Sequence, residues 1–184
     1  MSEFRGFIAV EIPICENLLA FHTKLENLHL KMKLVDLKNI HITLKFLGET
    51  KIEHIDEIEK IIKNAVQNIQ PFSIQLKGTG VFPNSNYIKV VWIGISESSL
   101  LSTIAASIDN QLTPLGYKKE KRPFSPHLTI GRIKYLNRKH DLLAVLDSYK
   151  DNLFSNVCID HILLKKSTLT PKGPIYETIR EIKL

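Results

Sequence analysis

The chain has 184 residues, 43% hydrophobic and 24% charged, the composition of an ordinary soluble globular protein long enough for one good-sized domain. No apolar run approaches the roughly 20 residues needed for a helix to cross a bilayer, which argues against a membrane protein. The formal net charge of +6 favours an anionic partner and is compatible with nucleic acid.

The opening stretch, MSEFRGFIAVEI, lacks a charged segment followed by a long apolar run and a small-residue cleavage site. It reads as the mature N-terminus of a cytosolic protein. Arg5 to Ile12 alternates and is rich in strand formers, so it is the first expected strand, ended by Pro13. Leu18, Phe21, Leu25 and Leu28 recur at helical spacing, which predicts a helix from Glu16 to Leu30. A connection through Met32 to Leu37 leads to a strand over Ile40 to Phe46, broken at Gly48. A second amphipathic helix is expected from Glu53 to Ile69, closed by Pro71, and a half-buried strand from Phe72 to Lys77.

Gly78-Thr79-Gly80 and Pro83-Asn84-Ser85-Asn86 are the strongest turn signals and fall near mid-chain. They place a boundary between two lobes, roughly 1–80 and 81–184, within a single domain. The second half then repeats the order of the first. A strand runs from Tyr87 to Ile95 and a helix from Ser99 to Leu112, followed by a basic loop at Lys118 to Arg122. Next come a strand over Pro126 to Gly131, a helix over Asp141 to Tyr149 and a strand within Val157 to Leu169. Lys172-Gly173-Pro174 reads as a turn into a terminal strand from Tyr176 to Ile182. The expected fold class is α+β, with two pseudo-symmetric lobes of mainly antiparallel sheet, helices on the outer faces and a cleft between the sheets. Cys15 and Cys158 form no CxxC pair and are too few for a structural zinc site, so both read as buried free thiols.

The chemistry-bearing feature is a tetrapeptide that occurs twice, His41-Ile42-Thr43-Leu44 and His127-Leu128-Thr129-Ile130. Strand side chains alternate between faces, so each histidine shares a face with the threonine two residues on. Two such strands side by side would bring two imidazoles and two hydroxyls to one cleft. An imidazole titrates close to neutrality, so one ring can accept a proton while the other donates one. Two hydroxyls can hold the non-bridging oxygens of a phosphate. That set suits in-line displacement at a phosphodiester and requires neither metal nor cofactor.

The paired motifs resemble those of the 2H phosphoesterase superfamily, and more narrowly its RNA 2′,3′-cyclic phosphodiesterase branch, also called 2′-5′ RNA ligase. The resemblance runs nearly end to end. It includes Arg5 to Val10, Asn39 to Glu49, Gly80-Val81-Phe82-Pro83, Val91-Trp92, Arg122 to Arg132 and Leu169 to Tyr176. It implies opening of an RNA 2′,3′-cyclic phosphate to a 2′-phosphate. By motif position, His41 resembles the proton donor to the departing 3′ oxygen and His127 the proton acceptor that activates water. Thr43 and Thr129 resemble the phosphate-binding hydroxyls. The reverse reaction would make a 2′-5′ link. The implied partners are RNA ends with 2′,3′-cyclic phosphates, tRNA fragments among them, met in the cytoplasm by a monomer.

Arg132 stands where similar proteins carry an arginine at the site, yet strict alternation turns it away from His127 and Thr129. A bulge at Gly131 would remove the conflict. Phe46 meets the same conflict: the resemblance makes it a surface for a base, but alternation turns it toward the core, and the core is the preferred reading. Lys118, Lys119, Lys121 and Arg122 either steer RNA or form a solvated loop. Tyr176 either reaches the cleft or packs, and Trp92 is expected in the core. His22, His29, His54, His140 and His161 have no threonine two residues on and are assigned to surfaces or packing. Two other readings stay open. One is a sister activity, on ADP-ribose 1″,2″-cyclic phosphate or 2′-5′ linked oligonucleotides. The other is an RNA-binding module without turnover.

Overall fold

Period-two alternation makes the strands, and apolar stripes at helical spacing make the helices that cover them. The computed structural model describes residues 2–171 and 173–184. In chain order the first half contains β1 (Glu3–Glu11), α1 (Glu16–Glu26), β2 (Lys31–Leu34), β3 (His41–Lys51), α2 (Ile55–Ala65) and β4 (Phe72–Asn84). The second half contains β5 (Tyr87–Ser96), α3 (Ser99–Leu112), β6 (His127–Tyr135), α4 (Lys139–Ser148), β7 (Leu153–Ile159), β8 (His161–Thr170) and β9 (Gly173–Lys183). Short 3₁₀ turns at Leu37–Asn39 and Ile52–His54 lead into β3 and α2.

The strands form two antiparallel sheets, ordered β3-β1-β8-β9 and β2-β6-β5-β4-β7. Helices α2 and α3 pack on the first sheet through β9 and β3, and α1 and α4 pack on the second through β7 and β4. Each helix turns its apolar stripe inward: Leu18, Phe21 and Leu25 of α1, Ile58 and Ile62 of α2, Leu101, Ile104 and Ile108 of α3, and Leu142 of α4 are buried. Each such side chain contributes about 1.5–3 kcal/mol by leaving water. This is the expected α+β architecture with helices outside.

The lobe division is corrected. The two sheets do not follow the halves of the chain, because β2 and β4 from the first half join the second sheet and β8 and β9 from the second half join the first. The proposed boundary at residue 80 falls inside β4, which runs unbroken through Gly78 and Gly80. Only the hairpin tip between Asn84 and Tyr87 turns, where the Asn84 side chain accepts from the N–H groups of Asn86 and Tyr87. Gly78 marks a bulge, seen as the register shift between Leu76 and Thr79 opposite β5.

Other boundaries shift for similar reasons. Gly48 does not end β3, since its positive φ of 71° is accommodated at a bulge opposite β1. The connection before β3 contains β2, four residues too short to show a pattern. Val157 to Leu169 holds parts of two strands, with Asp160 between them. Gly173 and Pro174 already belong to β9, and Lys172 lies outside the described residues. Cys15 is half-buried and Cys158 exposed, both free, so the expected burial of the thiols does not hold for Cys158. Cys158 sits in the edge strand β7 on the face away from Val157 and Ile159, which point inward. Among the described residues no helix is long and apolar enough to cross a membrane.

Candidate active site

The two motif strands do not pair with each other. β3 is the edge of the first sheet, β6 lies between β2 and β5 in the second, and the two approach one another from opposite sheets. Both motifs open on a cleft of about 1770 Å³ whose lining includes His41, Thr43, His127, Thr129 and Arg132. The expectation of side-by-side strands is thus replaced by facing strands, with the same convergence of side chains.

Each imidazole is held in the same way. His41 Nδ1 lies 2.7 Å from the Asn39 carbonyl oxygen, and His127 Nδ1 lies 2.7 Å from the Ser125 carbonyl oxygen. A carbonyl only accepts, so both Nδ1 atoms carry hydrogen and both Nε2 atoms are left for substrate. In each case the acceptor stands two residues before the histidine, at the mouth of the strand. The Asn39 side chain donates in turn to the Pro174 carbonyl, at 3.2 Å, which ties the first motif to the β8–β9 hairpin.

Aromatic rings fix the imidazole planes. Phe7 lies 5.0 Å from His41 and Tyr176 stands edge-on to it at 5.3 Å. On the other side Phe82 stands edge-on to His127 at 4.9 Å and is itself backed by Trp92 at 5.2 Å. Trp92 lies against Gly80, where a Cβ would come within 2.2 Å of the indole, so only glycine admits this packing. Trp92 is therefore half-buried support behind a site residue rather than a member of the core. Tyr176 reaches the cleft, and burial raises its phenol pKa against the pull of Arg132 and Arg5. Phe7, Phe82, Asn39 and Ser125 were not singled out by sequence. The signal available was position alone, two residues before each histidine for the carbonyls.

A bulge in each motif strand resolves the two conflicts of alternation. In β3 the register passes from Ala9↔Thr43 to Ile8↔Lys45, so Leu44 is the extra residue. In β6 it passes from Trp92↔Thr129 to Val91↔Gly131, so Ile130 is the extra residue. Both are the fourth residue of the motif. After each bulge the faces exchange. Arg132 therefore returns to the cleft side with Thr129, and Phe46 returns with Thr43, 61% exposed and lining the cleft. The expectation that Phe46 packs in the core is overturned by this single extra residue.

The cleft is cationic. Lys33, Lys89, Lys119, Lys121, Arg122 and Arg132 line it, and none has an ion pair among the described residues. Lys121 and Arg122 are exposed in the loop that enters β6. Burial lowers the His41 pKa below the ordinary imidazole value. Lys165 and Arg132 act in the same direction, and the Asn39 carbonyl and Glu11 oppose them. The remaining histidines stand outside the cleft lining. His22 contacts the Val35 carbonyl, His54 the Tyr117 hydroxyl and His161 the Asp160 carboxylate. Among the described residues no group of three or more His, Cys, Asp or Glu side chains could hold a metal ion.

Residues 16–164 match the 2′-5′ RNA ligase superfamily. The chain is 47% identical over 180 residues to the RNA 2′,3′-cyclic phosphodiesterase of Methanocaldococcus jannaschii, a match covering 96% of this chain and 99% of that protein. It is 36% identical over 188 residues to the RNA 2′,3′-cyclic phosphodiesterase of Aquifex aeolicus, covering 100% of this chain and 99% of the relative. Among solved structures, TT0787 of Thermus thermophilus superposes with a TM-score of 0.82 at 26% identity, covering 98% of this chain and 97% of that one. The Escherichia coli LigT complex with 3′-AMP shares the fold, with a TM-score of 0.75 at 19% identity over 100% of this chain and 99% of that one. With paired motifs in facing sheets and matches over nearly its whole length, this chain belongs to the 2′-5′ RNA ligase superfamily.

Proposed function

We propose that this protein hydrolyses RNA 2′,3′-cyclic phosphate ends to 2′-phosphomonoesters by two-histidine acid–base catalysis. The observation that carries the reading is the matched pair of imidazoles, each with Nδ1 tied to a carbonyl and Nε2 left for the cleft. The names of relatives that match over nearly their full length support the substrate.

In this mechanism the cyclic phosphate sits between the two motifs, its non-bridging oxygens accepting from the hydroxyls of Thr43 and Thr129. Arg132 neutralises its charge and can donate two hydrogen bonds. His127 Nε2 takes a proton from water as the water oxygen bonds to phosphorus. The bond from phosphorus to the 3′ oxygen breaks, and His41 Nε2–H supplies the proton to that oxygen. A 2′-phosphate and a 3′ hydroxyl result. With an RNA 5′ hydroxyl in place of water, the same transfers make a 2′-5′ link. Phe46 and Tyr176 would flank the terminal nucleoside, and Lys121 and Arg122 would meet the phosphates preceding it.

The free thiols suit a cytoplasmic setting, and the reading is of a monomer acting on RNA ends such as tRNA fragments. Incubation with a short RNA ending in a 2′,3′-cyclic phosphate, read by phosphorus NMR, tests the proposal. A 2′-phosphate end formed equally well in chelator is expected. A 3′-phosphate end, or turnover lost in chelator, overturns it.

A further inference from the structure

One buried charge in the motif strand β3 has no part in the mechanism above. The bulge at Leu44 turns Lys45 to the face opposite Thr43, where its side chain is 1% exposed. Its ammonium donates to Asp109 Oδ1 on α3 at 2.6 Å, to the Lys118 carbonyl at 2.6 Å and to Glu120 Oε1 at 3.2 Å. All three of its donors are thereby used. The Asp109 carboxylate also accepts from the Glu120 backbone N–H, at 3.2 Å from each oxygen. The residues so gripped, 118 and 120, begin the basic loop whose Lys119, Lys121 and Arg122 line the cleft and which ends at His127. In the other motif the matching position is Gly131. A Cβ there would lie 2.9 Å from Met32 Sδ and 3.2 Å from Leu34 Cδ2, so β2 occupies the space a side chain would need. The grip exists on one side only.

We propose that Lys45 is a positioning residue that fixes the loop 118–122 over the cleft, so that its cations meet the RNA chain upstream of the terminal nucleotide. This rests on the reading of the cleft as an RNA-end site. A loop held by a buried ammonium keeps its cations in place before RNA arrives, so less ordering is needed on binding. The end group itself is held by the motif residues and does not depend on the loop. Lys45 thus separates recognition of a long RNA from recognition of a single nucleotide.

The test compares the wild type with Lys45→Met, Lys45→Arg and Glu120→Gln. Glu120 is half exposed at 55%, so its replacement should keep the fold even where Lys45→Met fails to fold. Affinity for a fluorescent RNA oligonucleotide is read by anisotropy, and turnover of a 2′,3′-cyclic mononucleotide is read in parallel. Lys45→Met is expected to bind the oligonucleotide about tenfold more weakly, with a shallower salt dependence as fewer phosphates are met. Glu120→Gln should shift in the same direction by less, and Lys45→Arg should recover part of the loss. The mononucleotide KM should move less than about twofold, since the lost charge contacts lie upstream of the end. Unchanged oligonucleotide affinity in Glu120→Gln and in a folded Lys45→Met overturns the proposal, as does an equal loss on both substrates. Failure of the wild type to open any cyclic phosphate would instead overturn the proposed function, and the binding measurement would still decide the role of Lys45.

Discussion

β3 and β6 begin with the same pattern and share its local consequences. Each histidine leans on a carbonyl two residues back, each threonine faces the cleft, and each fourth residue bulges. They part immediately afterwards. β3 continues with Lys45 and Phe46, and β6 with Gly131 and Arg132. One strand thus presents an aromatic face and the other a guanidinium, from equivalent positions. Their neighbours differ too. His41 is enclosed by Phe7 and Tyr176 and carries a lowered pKa, while His127 meets Phe82 beside an exposed basic loop. In the proposed mechanism repetition supplies the proton-transfer pair, and the residues just beyond it would let the two sides hold different parts of one substrate.

The largest test of this symmetry is removal of either imidazole. His41→Ala and His127→Ala should each lower kcat on a 2′,3′-cyclic nucleotide by about 10²- to 10⁴-fold. Circular dichroism should show both variants folded. Full activity in either would end the two-histidine mechanism.

The next test addresses the asymmetry beyond the bulges. Arg132→Ala should reduce kcat/KM about 100-fold, and Arg132→Lys should restore only part, because an ammonium cannot match the guanidinium fork. Phe46→Ala should act mainly on KM, by about tenfold, as loss of one stacked base would. Equal effects from both positions on kcat would mean that both meet the reacting phosphate.

Gly131→Ala sharpens the structural side of the comparison. The added methyl presses on Met32 and Leu34, which should destabilise the fold by about 1–3 kcal/mol. Thermal unfolding should then fall by roughly 2–4 °C for each kcal/mol.

The smallest expected effect is a displacement of pH profiles. A proton donor works only while protonated, and burial lowers the pKa of His41. In the free enzyme kcat/KM should therefore decline as pH rises from a point below the ordinary imidazole value of 6.5. A bound phosphate anion favours the imidazolium, so the alkaline limb of kcat should lie at higher pH than that of kcat/KM. Coincident limbs would remove His41 from the donor role.

Much of this was legible in the residues. The strand formers of Arg5 to Ile12 and the recurrence of Ile104, Ile108 and Leu112 announce their elements, although β1 proves buried on both faces from Gly6 to Val10. The two His-x-Thr tetrapeptides show on inspection, since two residues on one strand face must stand two apart. Phe46 was misread, and Arg132 left open, because a bulge is a property of strand pairing. Leu44 and Ile130 look like ordinary apolar strand residues until β1 and β5 are laid beside them.

The sequence by itself determined the helices and most of the strands, the repeated motif and hence the pairing of two imidazoles with two hydroxyls. These follow from local periodicity and from side-chain chemistry that travels with each residue. Only the tertiary structure decided that the halves exchange strands between sheets, that the motifs face one another from separate sheets, and that Phe46 and Arg132 return to the cleft. Those outcomes depend on which strands hydrogen-bond and in what register, and register is set by contacts between residues far apart in the chain. The proton affinity of His41 belongs to the same class, because the burial that lowers it and the charges of Lys165, Arg132 and Glu11 reach it only once the chain has folded.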